Sequence, residues 1–293
     1  MTPAPLDRSS LADARRVLGA ACAFDRADVV ADEKLFGEGP SGPPRAFGAW
    51  LAGELVGVAS VAADRIRVLA VVPEARGQGI GSALLAACEQ AAREAGRIRL
   101  RTLDQPGNYL APGVDEANLE AIGWLERRGW ARSGEPRLNV LIEVRGNPRV
   151  TAERAADAAT RAAGYEIRRA RPDETALLDA VATEFGGAWP FELARSLGHE
   201  PAGVHVAMRD GAYCAFAAHD GNNRGLGWFG PTGTWPAHRG RGLGEALLLA
   251  CLVDVATEHD RCEVAWIGPR PFYDKVAGVA ADRRFILLAR DLG

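Results

Sequence analysis

One glycine-rich motif occurs twice in this chain, and its repetition constrains the fold more than any other feature of the sequence. Residues 76–81 read Arg-Gly-Gln-Gly-Ile-Gly, and residues 239–244, which lie 163 positions later, read Arg-Gly-Arg-Gly-Leu-Gly. The first copy follows an apolar run at residues 68–72, and both copies precede a run with helical periodicity. When residues 73–88 are aligned with residues 236–251, 10 of the 16 positions are identical. The sequence therefore predicts a duplicated domain that carries the same strand–turn–helix element twice.

The chemistry of this motif indicates an anion site. Glycines between a strand and a helix let backbone N–H groups approach a ligand closely, and the helix N-terminus adds about half a positive charge at the same place. Arg76 and Arg239 each add a full charge. Neither copy continues as Gly-Lys-Ser/Thr, so a P-loop is excluded, and the G-x-G-x-G spacing after strands that read as antiparallel hairpins argues against a Rossmann fold. We therefore expect two pyrophosphate-binding turns.

Composition narrows the class of protein. The 293 residues are enough for two domains, and 47% hydrophobic with 25% charged residues is typical of a globular chain. The net charge of −3 gives no reason to expect nucleic-acid or anionic-membrane binding. Five cysteines without a C-x-x-C pair predict no metal site. The N-terminus has no apolar leader and no 18-residue apolar run occurs, so we expect a cytoplasmic protein.

Periodicity and turn residues predict two halves built on one plan. In each half, helices precede a set of short strands, the glycine motif opens a long helix, and the next strand lies parallel to the strand before that helix. A strand at residues 138–144 is expected to close the first half. The predicted domains are residues 1–145 and 165–293. They are joined by an alanine-rich linker, residues 146–164, that could form a helix.

Both copies of the motif resemble the acyl-CoA signature R/Q-x-x-G-x-G/A of the GNAT superfamily of N-acyltransferases. The resemblance is carried by residues 71–81 and 234–244, and the order of strands and helices extends it over nearly the whole chain. It implies an α/β (α+β) fold of two tandem GNAT-like domains, each a mixed, mostly antiparallel twisted sheet flanked by helices. In having two such domains, the chain is similar to mycothiol synthase.

A second signature of this superfamily, N-x-x-A-x-x-x-Y-E-K-x-G-F, is divided between the halves. Residues 118–130 match it from Asn118 onward, but Leu125 stands where the family has tyrosine. Residues 272–278 keep the tyrosine, as Tyr273, but lack the upstream asparagine and the Gly-Phe ending. The resemblance therefore implies that the two halves have diverged in complementary ways.

The resemblance implies an N-acetyltransferase that moves an acetyl group from acetyl-CoA to a primary amine of a small molecule or peptide by direct attack. Tyr273 would be the catalytic acid for the departing thiolate, because a phenol can donate a proton at neutral pH. The C-terminal domain is favoured for the chemistry on this ground. Acetyl-CoA is the expected co-substrate, and no metal is expected. The residues implied to bind acetyl-CoA are Leu69, Val71, Arg76, Gly77, Gln78, Gly79, Ile80, Gly81, Asn118, Thr232, Thr234, Arg239, Gly240, Arg241, Gly242, Leu243 and Gly244.

Two assignments stay open at the level of sequence. A long loop at residues 105–114 could line an acceptor site of the first domain or could only pack the domains together, and its Tyr109 could replace the acid that the first half lacks. The general base is not identified. Its candidates by position in the chain are Glu184, His219, Asp220 and His238.

Other classes of function also stay open. A non-catalytic acyl-CoA-binding or scaffolding protein would keep both motifs, and retention of NAD rather than CoA would indicate a nucleotide-dependent oxidoreductase. No residue pattern identifies the acceptor amine. We expect neither a nucleic-acid nor a membrane partner, and either a monomer or a homodimer.

Overall fold

The protein folds into two compact units in the computed structural model, which describes residues 2–293. The first unit contains the chain up to Arg137 together with Arg284–Gly293, and the second contains Leu138–Arg283. No helix within residues 2–293 has both the length and the apolar character needed to span a bilayer.

The described chain forms its strands and helices in a similar order in the two units. Short 3-10 turns at Pro73–Ala75 and Pro236–His238 come just before the two glycine motifs. The elements in chain order are β1 (Ala4–Pro5), α1 (Leu11–Ala21), α2 (Ala31–Phe36), β2 (Arg45–Leu51), β3 (Glu54–Ala62), β4 (Arg65–Val71), α3 (Ile80–Glu94), β5 (Arg99–Thr102), β6 (Val114–Asp115), α4 (Leu119–Glu126), β7 (Ala131–Arg132), β8 (Arg137–Glu143), α5 (Ala152–Arg161), β9 (Glu166–Arg169), α6 (Thr175–Glu184), α7 (Trp189–Leu197), β10 (Val204–Arg209), β11 (Ala212–His219), β12 (Trp228–Thr234), α8 (Leu243–Glu258), β13 (Arg261–Val264), α9 (Arg270–Ala277), β14 (Ala281–Ile286) and β15 (Leu288–Asp291).

The first unit is built on a sheet with the strand order β1-β2-β3-β4-β5-β15-β7. Neighbouring strands are antiparallel except β4 and β5, which are parallel because α3 crosses between them. α3 packs closely on one face of this sheet. A Cβ added to Gly57 of β3 would lie 2.9 Å from Leu84 and 3.1 Å from Ile80, both on α3. The helix that follows the first motif therefore closes the core on this face.

The second unit repeats this plan. Its strands follow the order β8-β13-β12-β11-β10-β9, where β8 belongs to this unit from Leu138 onward. Among them β12 and β13 are the parallel pair, with α8 crossing between them. Leu247, Leu249 and Leu252 of α8 are fully buried in a cluster with apolar residues of α5 and of the sheet. Both sheets are thus mixed, mostly antiparallel and flanked by helices, which confirms the predicted fold class.

One strand pairing differs from the expectation drawn from the sequence. The strand predicted at residues 138–144 to close the first half pairs instead with β13 of the second unit, where Val140 lies opposite Val264. The place beside β5 in the first unit is taken by β15, with Ala289 opposite Arg101. Both strands carry buried apolar residues, so their sequences fit either sheet and the expectation was wrong. Each unit thus completes its sheet with a strand from the other half of the chain.

Candidate functional site

Strand β4 separates from β5 just before the first glycine motif. The two strands pair only at Arg65 with Arg101 and at Ile66 with Thr102, although β4 continues to Val71. The later residues of β4 therefore have no partner strand on this edge within the described chain. A gap opens in the sheet at this point.

The alternation of the backbone decides which amides face this gap. The Val72 N–H donates to the Val56 carbonyl oxygen of β3 at 3.0 Å, and Ala70 lies opposite Val58 in the same ladder. Successive N–H groups of a strand point to opposite edges, so the amides of Leu69 and Val71 point away from β3 and toward the gap. A ligand carbonyl in the gap could accept a hydrogen bond from them.

The glycine motif borders the gap. Gly77 and Gly79 have φ values of 77° and 81°, a left-handed conformation that glycine adopts without strain, and α3 begins at Ile80. The turn lies beside a cavity of 570 Å³ between the end of α1, the separated part of β4, α3 and α4. The residues that line this cavity are Ala21, Ala23, Phe24, Leu69, Ala70, Val71, Ala75, Arg76, Gly77, Gly79, Ile80, Gly81, Ser82, Asn118, Glu120, Ala121, Trp124, Arg127 and Arg128.

Eight of the nine residues predicted in the first half line this cavity, and Gln78 lies outside it with an exposed side chain. Arg76 is held beside the turn by backbone carbonyls: its Nε donates to Val71 at 3.2 Å and its Nη2 donates to Ala21 at 3.3 Å. Its Nη1 lies 3.4 Å from the Glu120 carboxylate in a solvent-exposed ion pair. The guanidinium is therefore fixed next to the glycine amides.

Helix α4 supplies another wall of the cavity. Asn118 caps this helix, because its Oδ1 accepts from the Ala121 backbone N–H at 3.2 Å. Trp124 lies against α3, where a Cβ added to Gly81 would be 3.3 Å from the indole. The Arg128 guanidinium lies 4.0 Å from the centroid of the same ring. The family signature located Asn118, but it contains no signal for the packing of Trp124 and Arg128.

The second unit repeats the separated strand. β12 pairs with β13 over its first two residues only. The Trp235 N–H donates to the Cys214 carbonyl oxygen at 3.0 Å, so by the same alternation the amides of Thr232 and Thr234 point away from β11. The residues predicted as backbone donors in the second half therefore face a gap of the same kind.

The second turn also repeats the backbone of the first. Arg239 Nε donates to the Thr234 carbonyl oxygen at 3.2 Å, as the first motif's arginine does at its own strand end. Gly240 and Gly242 have φ values of 74° and 80°. α8 then begins at Leu243, whose side chain is buried. The repeated sequence thus produces a repeated backbone geometry.

The surroundings of the second turn are different. A cavity of 400 Å³ borders it, and one wall of this cavity is α5. Arg161 of α5 donates to Glu245, in the first turn of α8, at 2.7 Å, and the Tyr165 hydroxyl lies 3.1 Å from His238 Nδ1. Of the eight acetyl-CoA-binding residues predicted in the second half, those that line this cavity are Gly240, Arg241 and Gly242.

Tyr273, the predicted acid, is buried on α9. Tyr273 is 6% exposed and belongs to the apolar cluster around α8. The ring of its neighbour Phe272 would lie 3.6 Å from a Cβ atom added to Gly244. Burial, with a smaller contribution from Cys262, raises the pKa of Tyr273 to about 12, which makes the phenol a weaker proton donor. The residue does not line the 400 Å³ cavity. Its catalytic role stays a prediction.

The other acid–base candidates are dispersed. His219 and Asp220 are 3.0 Å apart at the end of β11. β11 is antiparallel to β12, so this end of the sheet lies roughly 17 Å from Thr234 and the second turn. Tyr109 is buried and does not line the 570 Å³ cavity. Glu184 is exposed at the end of α6. None of these side chains lines the first cavity.

The long loop at residues 105–114 is anchored within the first unit. Asn108 Nδ2 donates to the backbone carbonyl oxygens of Glu33, Gly37 and Glu38 at 3.1, 3.3 and 2.9 Å. Nine of its ten residues are buried, Pro106 being the exception. The loop is therefore a fixed part of the first unit at the C-terminal end of α2.

A cluster of ionisable side chains in the second unit was not predicted from the sequence. Asp254 of α8 accepts from Arg169 and from His205, each at 2.7 Å, and His219 lies 3.4 Å from the same carboxylate. Burial opposes the charged form of His219, but hydrogen bonds to Asp220 and Asp254 raise its pKa to about 9. These residues are distant in sequence, so no spacing indicated the cluster. Within residues 2–293, no three His, Cys, Asp or Glu side chains form a group that could hold a metal ion.

Comparisons with known proteins agree with this geometry. Residues 45–132 match the family described as acetyltransferase (GNAT) domain. The glucosamine N-acetyltransferase region of a fungal multi-domain GH3 beta-N-acetylglucosaminidase is 17% identical, with a TM-score of 0.77, over 98% of this chain and 38% of that chain. A tandem GNAT protein from the clavulanic acid biosynthesis pathway is 21% identical, with a TM-score of 0.70, over 99% of this chain and 98% of that chain. A GCN5-related N-acetyltransferase from Sphaerobacter thermophilus is 16% identical, with a TM-score of 0.65, over 99% and 95%.

These matches define the class of protein. The chain has the tandem GNAT fold, and a GNAT acetyltransferase domain occupies residues 45–132 of its first unit, so the recognition made from the sequence is confirmed. This fold implies acyl transfer as the class of reaction and an acyl-CoA as co-substrate. The search of curated proteins gave no match.

Proposed function

We propose that this protein is an acetyl-CoA-dependent N-acetyltransferase that transfers an acetyl group to a primary amine of a small molecule or peptide. The observation that carries the proposal is the 570 Å³ cavity, which joins the separated edge of β4 to the glycine turn. Its volume lies in the range of small-molecule and cofactor sites. It offers backbone donors for a thioester carbonyl and a cationic turn for a pyrophosphate.

The proposal extends to partners and location. The net charge of −3 supports a protein that acts on an amine acceptor rather than on nucleic acid or an anionic membrane. A cytoplasmic enzyme that is a monomer or a homodimer is the arrangement we propose, with no metal in the reaction.

In the proposed reaction, the amine nitrogen forms a bond to the acetyl carbonyl carbon, and the carbon–sulfur bond breaks. The N–H groups of Leu69 and Val71 would donate to the carbonyl oxygen as negative charge develops on it. Arg76 and the N-terminus of α3 would hold the pyrophosphate, so that the thioester is positioned for attack. The CoA thiolate leaves and takes up one proton. The nitrogen that attacked carries a positive charge and loses one proton to a base or to water.

We propose that the first unit is the one that binds acetyl-CoA. Eight predicted residues line its cavity, whereas at the second turn Glu245 lies in the first turn of α8 and pairs with Arg161. A carboxylate at that place competes with a phosphate for the helix N-terminus. The sequence favoured the second unit for the chemistry because of Tyr273, and that prediction needs its own test.

A non-catalytic acyl-CoA-binding protein is the second candidate. The observation that favours it is that neither unit has an exposed tyrosine at the position where the family has its catalytic acid. The first unit has Leu125 where the family has tyrosine, and Tyr273 in the second unit is buried with a raised pKa. A protein without an accessible acid could use acyl-CoA only to stabilise its folded state.

Thiol release from acetyl-CoA, measured with a panel of amines, tests the proposed activity. The panel contains glucosamine, because of the description of the fungal region, together with amino acids, small diamines and a peptide N-terminus. We expect release with at least one amine. Saturable binding of acetyl-CoA without release from any amine would instead establish the binding protein.

The choice of unit is tested by titration calorimetry with acetyl-CoA. Arg76→Gln should weaken binding about tenfold, the loss of one charge-assisted contact to a phosphate, while Arg239→Gln should stay within about twofold of the wild type. The reverse order would place acetyl-CoA in the second unit. Tyr273→Phe separates chemistry from binding: a fall in kcat of about 100-fold at constant KM would assign the acid to Tyr273.

A further inference from the structure

We propose that Asp104 is a positioning residue of the first unit, which holds β4 and β5 in the separated arrangement that a thioester carbonyl needs. Asp104 does not line the 570 Å³ cavity, so it would act through the backbone of β4 and not by contact with the ligand. The inference rests on the proposed function, because it concerns how the amides of Leu69 and Val71 are aimed.

Asp104 joins the two strands at the last place where they pair. Arg65 of β4 lies opposite Arg101 of β5 in the parallel ladder. Two positive charges at neighbouring positions of a sheet repel each other. The Asp104 carboxylate pairs with both: its Oδ1 lies 2.9 Å from Arg65 Nε, and its Oδ2 accepts a hydrogen bond from Arg101 Nη2. It therefore links β4 to β5 and offsets both charges.

The clamp formed by Arg65, Arg101 and Asp104 is shielded from water. The Asp104 side chain is 2% exposed, and those of Arg65 and Arg101 are 13% and 28% exposed. Burial raises the pKa of the Asp104 carboxyl, and the two guanidinium groups oppose that rise. Removal of this charge would leave two arginines side by side in a poorly hydrated place, where their repulsion is strong.

The chain leaves β4 immediately before Asp104. The Leu103 N–H donates to the Ile66 carbonyl oxygen at 2.7 Å, and Leu103 has a φ value of 59°. This left-handed conformation is unfavourable for a residue with a Cβ atom and persists only where the surroundings enforce it. The contacts of Asp104 with both strands supply that constraint. They fix the point at which the chain turns away from β4.

A second pair of side chains occupies the space just beyond the clamp. Arg67 follows the last residue of β4 that pairs with β5, and Gln105 follows Asp104. Both are buried, and Arg67 donates from Nε to Gln105 Oε1 and from Nη1 to the Gly37 carbonyl oxygen. Side chains thus replace the backbone ladder here. Leu69 lies two residues further on, about 7 Å along the strand, so the place of its amide depends on this arrangement.

The second unit separates its strands without this clamp. Counted from the last paired residues, the three positions of the clamp are occupied there by Trp228, Glu263 and Trp266. A tryptophan thus stands where the first unit has Asp104, and Glu263 accepts from Asn139 at 2.6 Å. The ionic clamp is therefore a feature of the unit that we propose to bind acetyl-CoA, and not a necessary consequence of the fold.

The test observes the thioester carbonyl directly. Acetyl-CoA with an isotope-labelled carbonyl is added to the wild type and to Asp104→Asn, and the C=O stretching band is measured by infrared difference spectroscopy. Hydrogen bonds from the β4 amides weaken the C=O bond, so the band should lie at lower frequency in the wild-type complex than in free acetyl-CoA. In Asp104→Asn the band should return toward the free position.

Titration calorimetry with acetyl-CoA and with CoA, which lacks the acetyl group, gives a second measurement. The wild type should prefer acetyl-CoA about fivefold, the contribution of about one net hydrogen bond. Asp104→Asn should reduce this preference to less than about twofold. Its affinity for CoA should not change, because the glycine turn that holds the pyrophosphate is intact. A general loss of stability would instead weaken both ligands alike.

Glu89→Gln is the matched control. Glu89 is a buried carboxylate on α3 of the same unit, accepts from Arg290 at 2.9 Å and does not line the cavity. Its variant should lower the Tm but keep the carbonyl band and the preference for acetyl-CoA. Arg101→Gln serves if Asp104→Asn does not fold, because it removes only the more exposed arm of the clamp. It should lower the preference about twofold.

The outcomes separate this inference from the function on which it rests. If the wild type shows the shifted band and Asp104→Asn, or Arg101→Gln in its place, keeps it, the clamp is overturned and the proposed function stands. No binding of acetyl-CoA by the wild type would overturn both. Binding without a band shift would contradict donation by the β4 amides, and the clamp with it. Equal changes in Glu89→Gln and Asp104→Asn would assign the effect to stability and contradict the positioning role.

Discussion

The two glycine turns of this protein share a backbone and differ in their neighbours. In each, the motif arginine donates to the carbonyl oxygen that ends the preceding strand at 3.2 Å, and two glycines have φ values between 74° and 81°. Trp124 of α4 and Arg128, which follows α4, stand beside the first turn, whereas Arg161 of α5 and the α8 residue Glu245 meet beside the second. The motif thus determines the path of the backbone, and the elements packed against it determine whether space and positive charge are left for a ligand.

The largest effect should come from a substitution in β15 that lowers the stability of the first unit and not that of the second. Leu288 is 1% exposed and pairs beside the first unit's β7. Leu288→Asp buries an unpaired carboxylate, so the free energy of unfolding of the first unit should fall by about 4 kcal/mol. Acetyl-CoA binding should be lost with it, while a thermal transition of the second unit remains. Calorimetric melting with and without acetyl-CoA measures both.

The exposed Asp291 on the same strand gives a control, because Asp291→Asn should leave both transitions unchanged. If Leu288→Asp left the first unit's transition and acetyl-CoA affinity intact, the pairing of β15 with the first sheet would be contradicted.

The next-largest effect should come from a substitution that places the acid of the second unit at the equivalent position in the first. Ser82→Glu places a carboxylate in the first turn of α3 beside Arg128, where it should neutralise that arginine and repel phosphate. We expect acetyl-CoA to bind about 30-fold more weakly, which is about 2 kcal/mol. Ser82→Gln, of similar size but neutral, should lose less than about threefold. An unchanged affinity of Ser82→Glu would show that the charge at this helix position does not set the two turns apart as ligand sites.

The pH dependence of stability should also distinguish the units, because all five histidines lie in the second. The partners of His219 raise its pKa to about 9, above the value of about 6.5 in an unfolded chain. Protonated His219 therefore stabilises the second unit fully below pH 6.5, and this contribution is lost as the pH rises through 9. Its size is on the order of 3 kcal/mol, since the shift is about 2.5 pKa units and one unit is about 1.4 kcal/mol.

Urea unfolding between pH 6.5 and 8.5 measures most of this contribution, because above that range the buried thiols of both units also lose protons on unfolding. The groups around His219 are Asp220, Asp254, Arg169 and His205. His219→Gln should flatten the profile of the second unit, and the first unit should show no matching decline. A decline of equal size in His219→Gln would assign the pH dependence to another group.

The smallest effect concerns the one acid of the first cavity. Glu120 forms an exposed ion pair with Arg76, the arginine proposed to hold the pyrophosphate. Glu120→Gln removes this competitor, and exposed ion pairs contribute about 0–1 kcal/mol, so acetyl-CoA should bind about two- to threefold more tightly at low salt. The gain should vanish near 1 M salt, where the Debye length is about 3 Å. Weaker binding at low salt would indicate that Glu120 orients Arg76 rather than opposing the ligand.

The parts of the molecule that follow from local pattern were predictable from the sequence. The duplicated motif specified both turns, and the apolar periodicity before and after it specified the strands and helices that flank them. Family resemblance supplied Leu69 and Val71, and the alternation of the strand explains why their amides face the gap. Family resemblance supplied Asn118, which caps α4 at the cavity.

The parts that depend on packing between distant segments were not predictable. Val140 and Leu288 are both buried strand residues, and nothing in either strand specifies which sheet it joins. Ser82 and Arg128 are 46 positions apart and meet only because α3 and α4 pack together. The burial of Tyr273 likewise depends on how α9 lies against α8, and the signature that located the residue says nothing about this.

The placement of β15 also has a consequence for how the protein is made. The ribosome has to synthesise 151 residues after Arg137 before Leu288 exists, about 8–30 s at 5–20 residues per second. Until then the edge of β5 that β15 covers is open to pairing with other chains. The sheet of the first unit therefore cannot be completed until those 151 further residues have been made.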